Sequence, residues 1–303
     1  MAKSDTNDND YKNVVRRYRE AAQLNRTDPL LKQNLLQFPN YGQVVMTGDL
    51  HGSWDNFERI RTYCALDRYP QRCVVLHELL HSPQCDRQGR CFSFELLEQA
   101  VQWKLDYPEQ VFFLMSNHDL AEATRHEISK WGTASLAALR AGMESTYGKN
   151  TETVHNAMIQ FLRSEPLAAR LPNRFLLSHS LPSQRNLKTF DPDVLHRPIT
   201  ESDLQHNGSV YHLLWGRGHT EAVTDLLAES WDVDFFVVGH VPQETGFDLP
   251  NPRQIILSSD HPRGCILPIN AAKSYAPDDL LAAVFRLNDV PLHSTPHQPS
   301  PHR

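Results

Sequence analysis

The sequence predicts an α/β fold, on two observations: short apolar runs recur along most of the chain, and the stretches between the early ones carry helical spacing. The runs are 43–47, 72–76, 111–115, 174–178, 234–238 and 254–258. Uninterrupted apolar runs of this length suit strands buried on both faces of a sheet. Segments 56–66 and 94–107 read as crossover helices, giving a β-α-β-α-β beginning.

The flanking segments follow from simpler signals. Residues 1–10 are polar and acidic and are expected to be disordered; without an apolar core they do not form a secretory signal. Residues 11–36 place Val14, Val15, Tyr18, Ala21 and Ala22 at helical spacing and stop near Pro39, so 11–40 reads as a helical extension ahead of a main domain at 41–290. The stretch 120–170 is amphipathic and free of proline as far as Glu165, which predicts a helical insertion or cap. The end, 291–303, is rich in Pro, His and Ser and reads as a disordered tail.

Composition narrows the function classes. Of the 303 residues 40% are apolar, enough to bury a sizeable core. A net charge of −6 gives no long-range pull towards nucleic acid or an anionic membrane, so neither is expected as a partner. An anionic substrate must then be drawn by a local positive site, and bound metal ions would supply one. No apolar run reaches membrane-spanning length. Cys64, Cys73, Cys85, Cys91 and Cys265 are odd in number and lack C-x-x-C spacing, which argues against a disulfide framework or a zinc ribbon. Cys85 and Cys91 could pair across a short loop, but free thiols in a soluble cytoplasmic protein are the expectation.

Where the polar residues fall is more informative. Five of the apolar runs lead into potential metal ligands: Asp49 and His51, His77 and Glu78, Asn117 and His118, His179, and His240. In layered α/β sheets ligands bind beyond the carboxyl ends of the strands, so these groups are expected along one rim. Asp49 and His51 are two apart in an extended segment, point the same way and can grip one ion together. His77-Glu78-Leu79-Leu80-His81 also spells the H-E-x-x-H signature of zinc metalloproteases. That motif needs a helix; here a strand-like run leads straight into it and Pro83 follows at once, so the protease reading is set aside.

Gly48-Asp49-Leu50-His51-Gly52, Asn117-His118-Asp119, Ser178-His179 and Gly239-His240 occur in the order seen in calcineurin-like metallophosphoesterases, and the chain resembles that family from about Gln43 to Leu267. The likeness is greatest to the branch with protein serine/threonine phosphatases and diadenosine tetraphosphate hydrolases. It implies a β-sandwich of two mixed sheets flanked by helices, with the metal site at strand C-terminal ends. It further implies two divalent ions, Mn²⁺ first with Fe or Zn²⁺ as alternatives, one on Asp49 and His51, the other on Asn117, His179 and His240. Glu78 stands where the family has its bridging aspartate. The implied reaction is hydrolysis of a phosphomonoester by a metal-bridging hydroxide, on a phosphorylated protein or, failing that, a small phosphoester or dinucleoside polyphosphate. His118 would protonate the leaving oxygen, Arg125 and Arg217 would hold the phosphoryl group, and His81, in place of an aspartate, would hydrogen-bond His118. Ser82 replaces a phosphate-binding arginine. The alternative from another class is a metal-binding regulatory protein without turnover.

Overall fold

The computed structural model describes residues 4–130 and 133–292. Helix α1 (Ser4–Thr27) is followed by two short strands, β1 (Leu31–Lys32) and β2 (Leu35–Gln37). Then come β3 (Gln43–Thr47), α2 (Trp54–Cys64), β4 (Arg72–Leu76), α3 (Ser93–Asp106), β5 (Val111–Phe113) and α4 (Asn117–Thr124). A hairpin of β6 (Ser129–Lys130) and β7 (Thr133–Ala134) leads into α5 (Ser135–Tyr147) and α6 (Thr151–Leu162). The rest holds β8 (Ala168–Arg170), β9 (Phe175–Ser178), α7 (Glu201–Leu204), α8 (Ser209–Trp215), α9 (Glu221–Trp231), β10 (Phe235–Val238), β11 (Phe247–Asn251), β12 (Gln254–Leu257), β13 (Cys265–Asn270), α10 (Pro277–Ala283) and β14 (Phe285–Arg286).

The strands form two mixed sheets. One has the order β14-β13-β3-β4-β5, with β3, β4 and β5 parallel and β13 antiparallel to β3. The other has the order β1-β2-β8-β9-β10-β12-β11, with β9, β10 and β12 parallel. Alternation along each strand decides which layer its side chains join. Val44, Met46, Val75, Phe175, Leu177, Phe235 and Val237 fill the layer between the sheets. Their neighbours Val45, Val74 and Leu76 face α2 and α3, while Phe236 and Val238 face α8 and α9. Every strand of the parallel centres is thus covered on both faces, which is why these segments read as unbroken apolar runs. The order is helices, sheet, sheet, helices.

The N-terminal segment departs from expectation in two places. The helix starts at Ser4 rather than Tyr11, and it ends at Thr27 instead of running to residue 36. Pro29 has no N–H to give and disfavours helix in the residue before it. The Asp28 carboxylate accepts from the Leu30 amide at 2.9 Å, turning the chain into β1 and β2, and β2 pairs in parallel with β8. Residues 1–3 and 293–303, which hold a small part of the first segment expected to be disordered and nearly all of the second, lie outside the described residues. The stretch 120–170 is no separate cap. Val154, Met158 and Phe161 of α6 share one core with Val14, Tyr18 and Ala21 of α1 and with α3. All five cysteines are free thiols. Among the described residues no helix is long and apolar enough to cross a membrane.

Candidate metal centre

Each ligand-bearing residue follows the end of a parallel strand, and several turn through an unusual backbone conformation. His51, Glu78, His81 and His240 have φ of 42°, 52°, 59° and 67°. Non-glycine residues reach this left-handed region at a cost of roughly 1–3 kcal/mol each, and such strain gathers where side chains must be aimed. The left-handed turns at Glu78 and His81 also rule out a helix through 77–81, so the metalloprotease geometry is absent. Asn117 is aimed differently, as the first residue of α4. A reciprocal capping box between Ser116 and Asp119 fixes that helix start, and burial pushes the Asp119 carboxyl up to about 6.

Among the described residues three groups of donors lie close enough together to hold an ion; Glu78 belongs to the first two, and Asp49, His77 and His179 make the third. In the first, His51 Nδ1 lies 3.0 Å from the Leu80 carbonyl, which accepts its proton, so Nε2 is left with a lone pair. That Nε2 is 3.9 Å from Asp49 Oδ2 and 3.9 Å from Glu78 Oε1. In the second set, His179 Nε2 is 2.7 Å from Asn117 Oδ1, 2.9 Å from Glu78 Oε2 and 3.1 Å from His240 Nδ1. His240 Nδ1 is itself 3.1 Å from Asn117 Oδ1. One proton on His179 cannot serve three acceptors at once, whereas a cation can. Bonds of about 2.1 Å at right angles would hold neighbouring donors about 3 Å apart, which is the spacing found. The residues fit a divalent ion. With oxygen and imidazole donors and no thiolate, the set suits Mn²⁺, Fe or Zn²⁺.

The cluster is buried, with Asp49 5% exposed and His179 fully covered. Burial alone would raise the Glu78 carboxyl, but the imidazoles of His179, His118 and His51 outweigh it and hold the group well below its usual range. Burial likewise disfavours charge on His179, yet Glu78 and Asp49 raise its pKa. An incoming cation would displace that proton. The main-chain N–H of His240 donates to both oxygens of Asp49, at 2.9 and 3.1 Å, and ties the two sheets together.

The remaining predicted residues are placed unevenly. His118 joins the cluster: its Nε2 is 3.5 Å from Glu78 Oε1, and its ring meets those of His51 and His81 at 5.3 and 4.9 Å. His81 does not make the expected hydrogen bond to His118. Its Nε2 turns to Glu122 Oε1 at 3.3 Å, because a buried carboxylate attracts imidazole more strongly than a second imidazole does. The other oxygen of Glu122 meets His155 Nε2 at 2.9 Å. Arg125 is also corrected. It forms the left-handed C-cap of α4, which swings its guanidinium out to Glu152 and Asn156 of α6, at 2.7 and 2.8 Å, where it is half exposed. Arg217 instead lines a cavity of about 1010 Å³ together with Arg185, His206, Tyr211 and Trp215. The Trp215 ring lies 6.0 Å from that of His240, so the cavity opens beside the donor cluster.

Sequence reasoning missed Glu122 and undervalued His77. Glu122 follows His118 by four on α4, one helical turn on the same face, and sits between two alanines in an otherwise apolar stretch; that pattern is the available signal. His77 was noted at a strand end as a potential ligand beside Glu78, but it was given no role of its own.

No protein-family model matches the chain. Among solved structures it is similar to a protein serine/threonine phosphatase from Saccharomyces cerevisiae, itself described as similar to human phosphatase PP5. That match has a TM-score of 0.62 at 15% identity over 86% of this chain and 82% of the other. It is also similar to a cold-active protein-tyrosine phosphatase from a psychrophilic Shewanella species, with a TM-score of 0.54 at 16% identity over 82% of this chain and 80% of the other. Likeness at such identity speaks for the fold. The chain has a metallophosphoesterase-like fold, with buried His, Asp and Glu side chains that could hold metal ions gathered where strands of both sheets end.

Proposed function

We propose that the protein is a metal-dependent phosphoric ester hydrolase, a phosphomonoesterase of the protein serine/threonine phosphatase type. The observation that carries this reading is Glu78, whose carboxylate belongs to two donor groups at once. Asp49, His51 and Glu78 would hold one divalent ion, and Asn117, His179, His240 and Glu78 the other, with Mn²⁺ the first choice. When bound, such a pair neutralises phosphoryl oxygens and activates water for in-line displacement. The chain's own residues do the rest. Asp49 and Glu78 supply the negative charge that retains two cations inside a buried site. His118, beside Glu78 and facing the same rim, is placed to give a proton to the leaving oxygen. Arg217, in the cavity next to Trp215, presents a planar fork to the equatorial phosphoryl oxygens. A phosphorylated protein side chain is the proposed substrate.

The cavity wall favours one further substrate. Tyr211 and Trp215 stack at 5.6 Å and 20°, an aromatic face on which a nucleobase of a dinucleoside polyphosphate could lie.

The test is Mn²⁺-dependent turnover of p-nitrophenyl phosphate, with a phosphoserine peptide and diadenosine tetraphosphate assayed beside it. Asp49→Asn and Glu78→Gln should each lower turnover at least about 100-fold, the scale for removing a group that stabilises transition-state charge. If neither substitution slows the reaction, the reading is wrong. Metal binding with no turnover on any ester would point instead to a regulatory metal-binding protein.

A further inference from the structure

His77 has no part in the proposed ligand set, yet its surroundings give it a definite task. The side chain is 1% exposed and both ring nitrogens are engaged. Nε2 lies 2.9 Å from the Thr47 carbonyl, which can only accept, so Nε2 carries a proton. Nδ1 lies 2.9 Å from Nδ1 of His179. One of those two nitrogens must donate. A neutral His77 that has placed its proton on Nε2 accepts at Nδ1, and the donor is then Nδ1–H of His179. With its proton held on Nδ1, His179 offers its lone pair at Nε2, the atom that lies beside Glu78, Asn117 and His240. The fold has made room for this ring. A Cβ on Gly239 would lie 2.5 Å from Cε1 of His77.

We infer that His77 is a positioning residue for the metal centre: it fixes the tautomer and ring plane of His179 so that Nε2 faces a divalent cation. The chain of contacts runs from the end of β3 through His77, which follows β4, to His179, which follows β9. It crosses from one sheet to the other. Outer partners of this kind change metal affinity about 10- to 100-fold when removed, because the free imidazole otherwise divides its population between tautomers and orientations. The inference rests on the metal-centre reading above and goes beyond it in giving a role to a residue outside the two proposed ligand sets.

The experiment is a calorimetric Mn²⁺ titration of the full chain as wild type, His77→Met and His77→Gln, with thermal melts as a check on folding. Methionine fills similar space but neither accepts from His179 nor donates to Thr47; glutamine can do both. His77→Met should bind one ion about 10- to 100-fold more weakly, while His77→Gln stays close to wild type. Wild-type affinity for both ions in His77→Met would overturn the inference. So would the loss of one ion in His77→Gln as severe as in His77→Met, since the imidazole itself would then be a ligand. A second readout needs no metal. In metal-free protein with ¹⁵N-labelled histidine, the proton of the neutral His179 ring should sit on Nδ1 in wild type and lose that preference in His77→Met. An unprotonated Nδ1 at high pH in wild type would also overturn it. If wild type bound no Mn²⁺ at all, the phosphoesterase reading would fall first, and the nitrogen spectra would still decide whether His77 directs the His179 proton.

Discussion

A methyl group on Gly239 would lie 2.3 Å from Oδ1 of Asp49 as well as against His77, so two groups of the centre depend on one missing side chain. Gly239→Ala should therefore leave the protein folded but weaken Mn²⁺ binding and ester turnover, each by about 10- to 100-fold. Calorimetry and the p-nitrophenyl phosphate assay check this, and unchanged binding would mean that the backbone after β10 yields freely. At this scale the sequence was legible where partners are close in the chain. Asp49 and His51 were picked out because they follow one strand end two residues apart, although the left-handed turn at His51 that aims its ring was not foreseen. Glu122 was not legible and His77 was legible only as a potential ligand, because their partners lie far off: His155 for Glu122, 33 residues away, and His179 for His77, 102 residues away. Arg125 was assigned to the phosphoryl group by resemblance alone, and resemblance does not contain the left-handed turn that aims it at Glu152.

Among the elements, α1, α3 and α5 meet around Glu98 of α3. Tyr147, at the end of α5, donates its hydroxyl proton to Glu98, and Arg17 of α1 is 3.9 Å away. Burial nevertheless pushes the Glu98 carboxyl up to about 7 from a usual 4.5. A folded-state value above the unfolded one means that the folded chain holds this proton more tightly. The associated stability is complete below about pH 4.5 and is lost as pH rises through about 7. Glu98→Gln should remove that loss, so the variant gains on wild type between pH 5 and pH 8 by roughly 1–3 kcal/mol. Urea melts at the two pH values measure the difference, and a constant gap would refute it. The six predicted strands and both crossover helices lie within two residues of the observed ends, since burial on both faces leaves a plain apolar run. The longest described strand, β13, was not read, because Pro268 interrupts its apolar run. β1 and β2 were not, because two or three residues carry no period and their pairing with β8 lies far along the chain.

Taken whole, the molecule is two sheets that meet at the ends carrying the candidate donors. Asp49, Glu78 and Asn117 come from the β3-β4-β5 side, and His179 and His240 from the β9-β10 side. Gly48 lets the sheets approach there. A Cβ on it would lie 2.5 Å from the Leu257 carbonyl oxygen, and a single bridge joins Asp49 to Ser258. An ion bound across this seam stabilises the folded state by mass action. Free Mn²⁺ at about 100 times its dissociation constant adds about 2.7 kcal/mol, enough to raise Tm by several degrees in a chain of this size. Differential scanning fluorimetry with Mn²⁺ and then with excess EDTA should show the rise and its reversal, and Asp49→Asn should show little of either. No shift in wild type would argue against a cation at the seam.

The same seam sets an order of events during synthesis. The Asp49 carboxylate is made early, but the amide it accepts from lies 191 residues further on, at His240. A nascent chain therefore exposes its first donors long before the last of them leaves the ribosome. Contacts of such sequence separation form late, after the loops between them have closed. A cation that needs donors from both sheets can be held only once the sheets have met, and a chain released short of β10 lacks both His240 and the strand that joins β9 to β12.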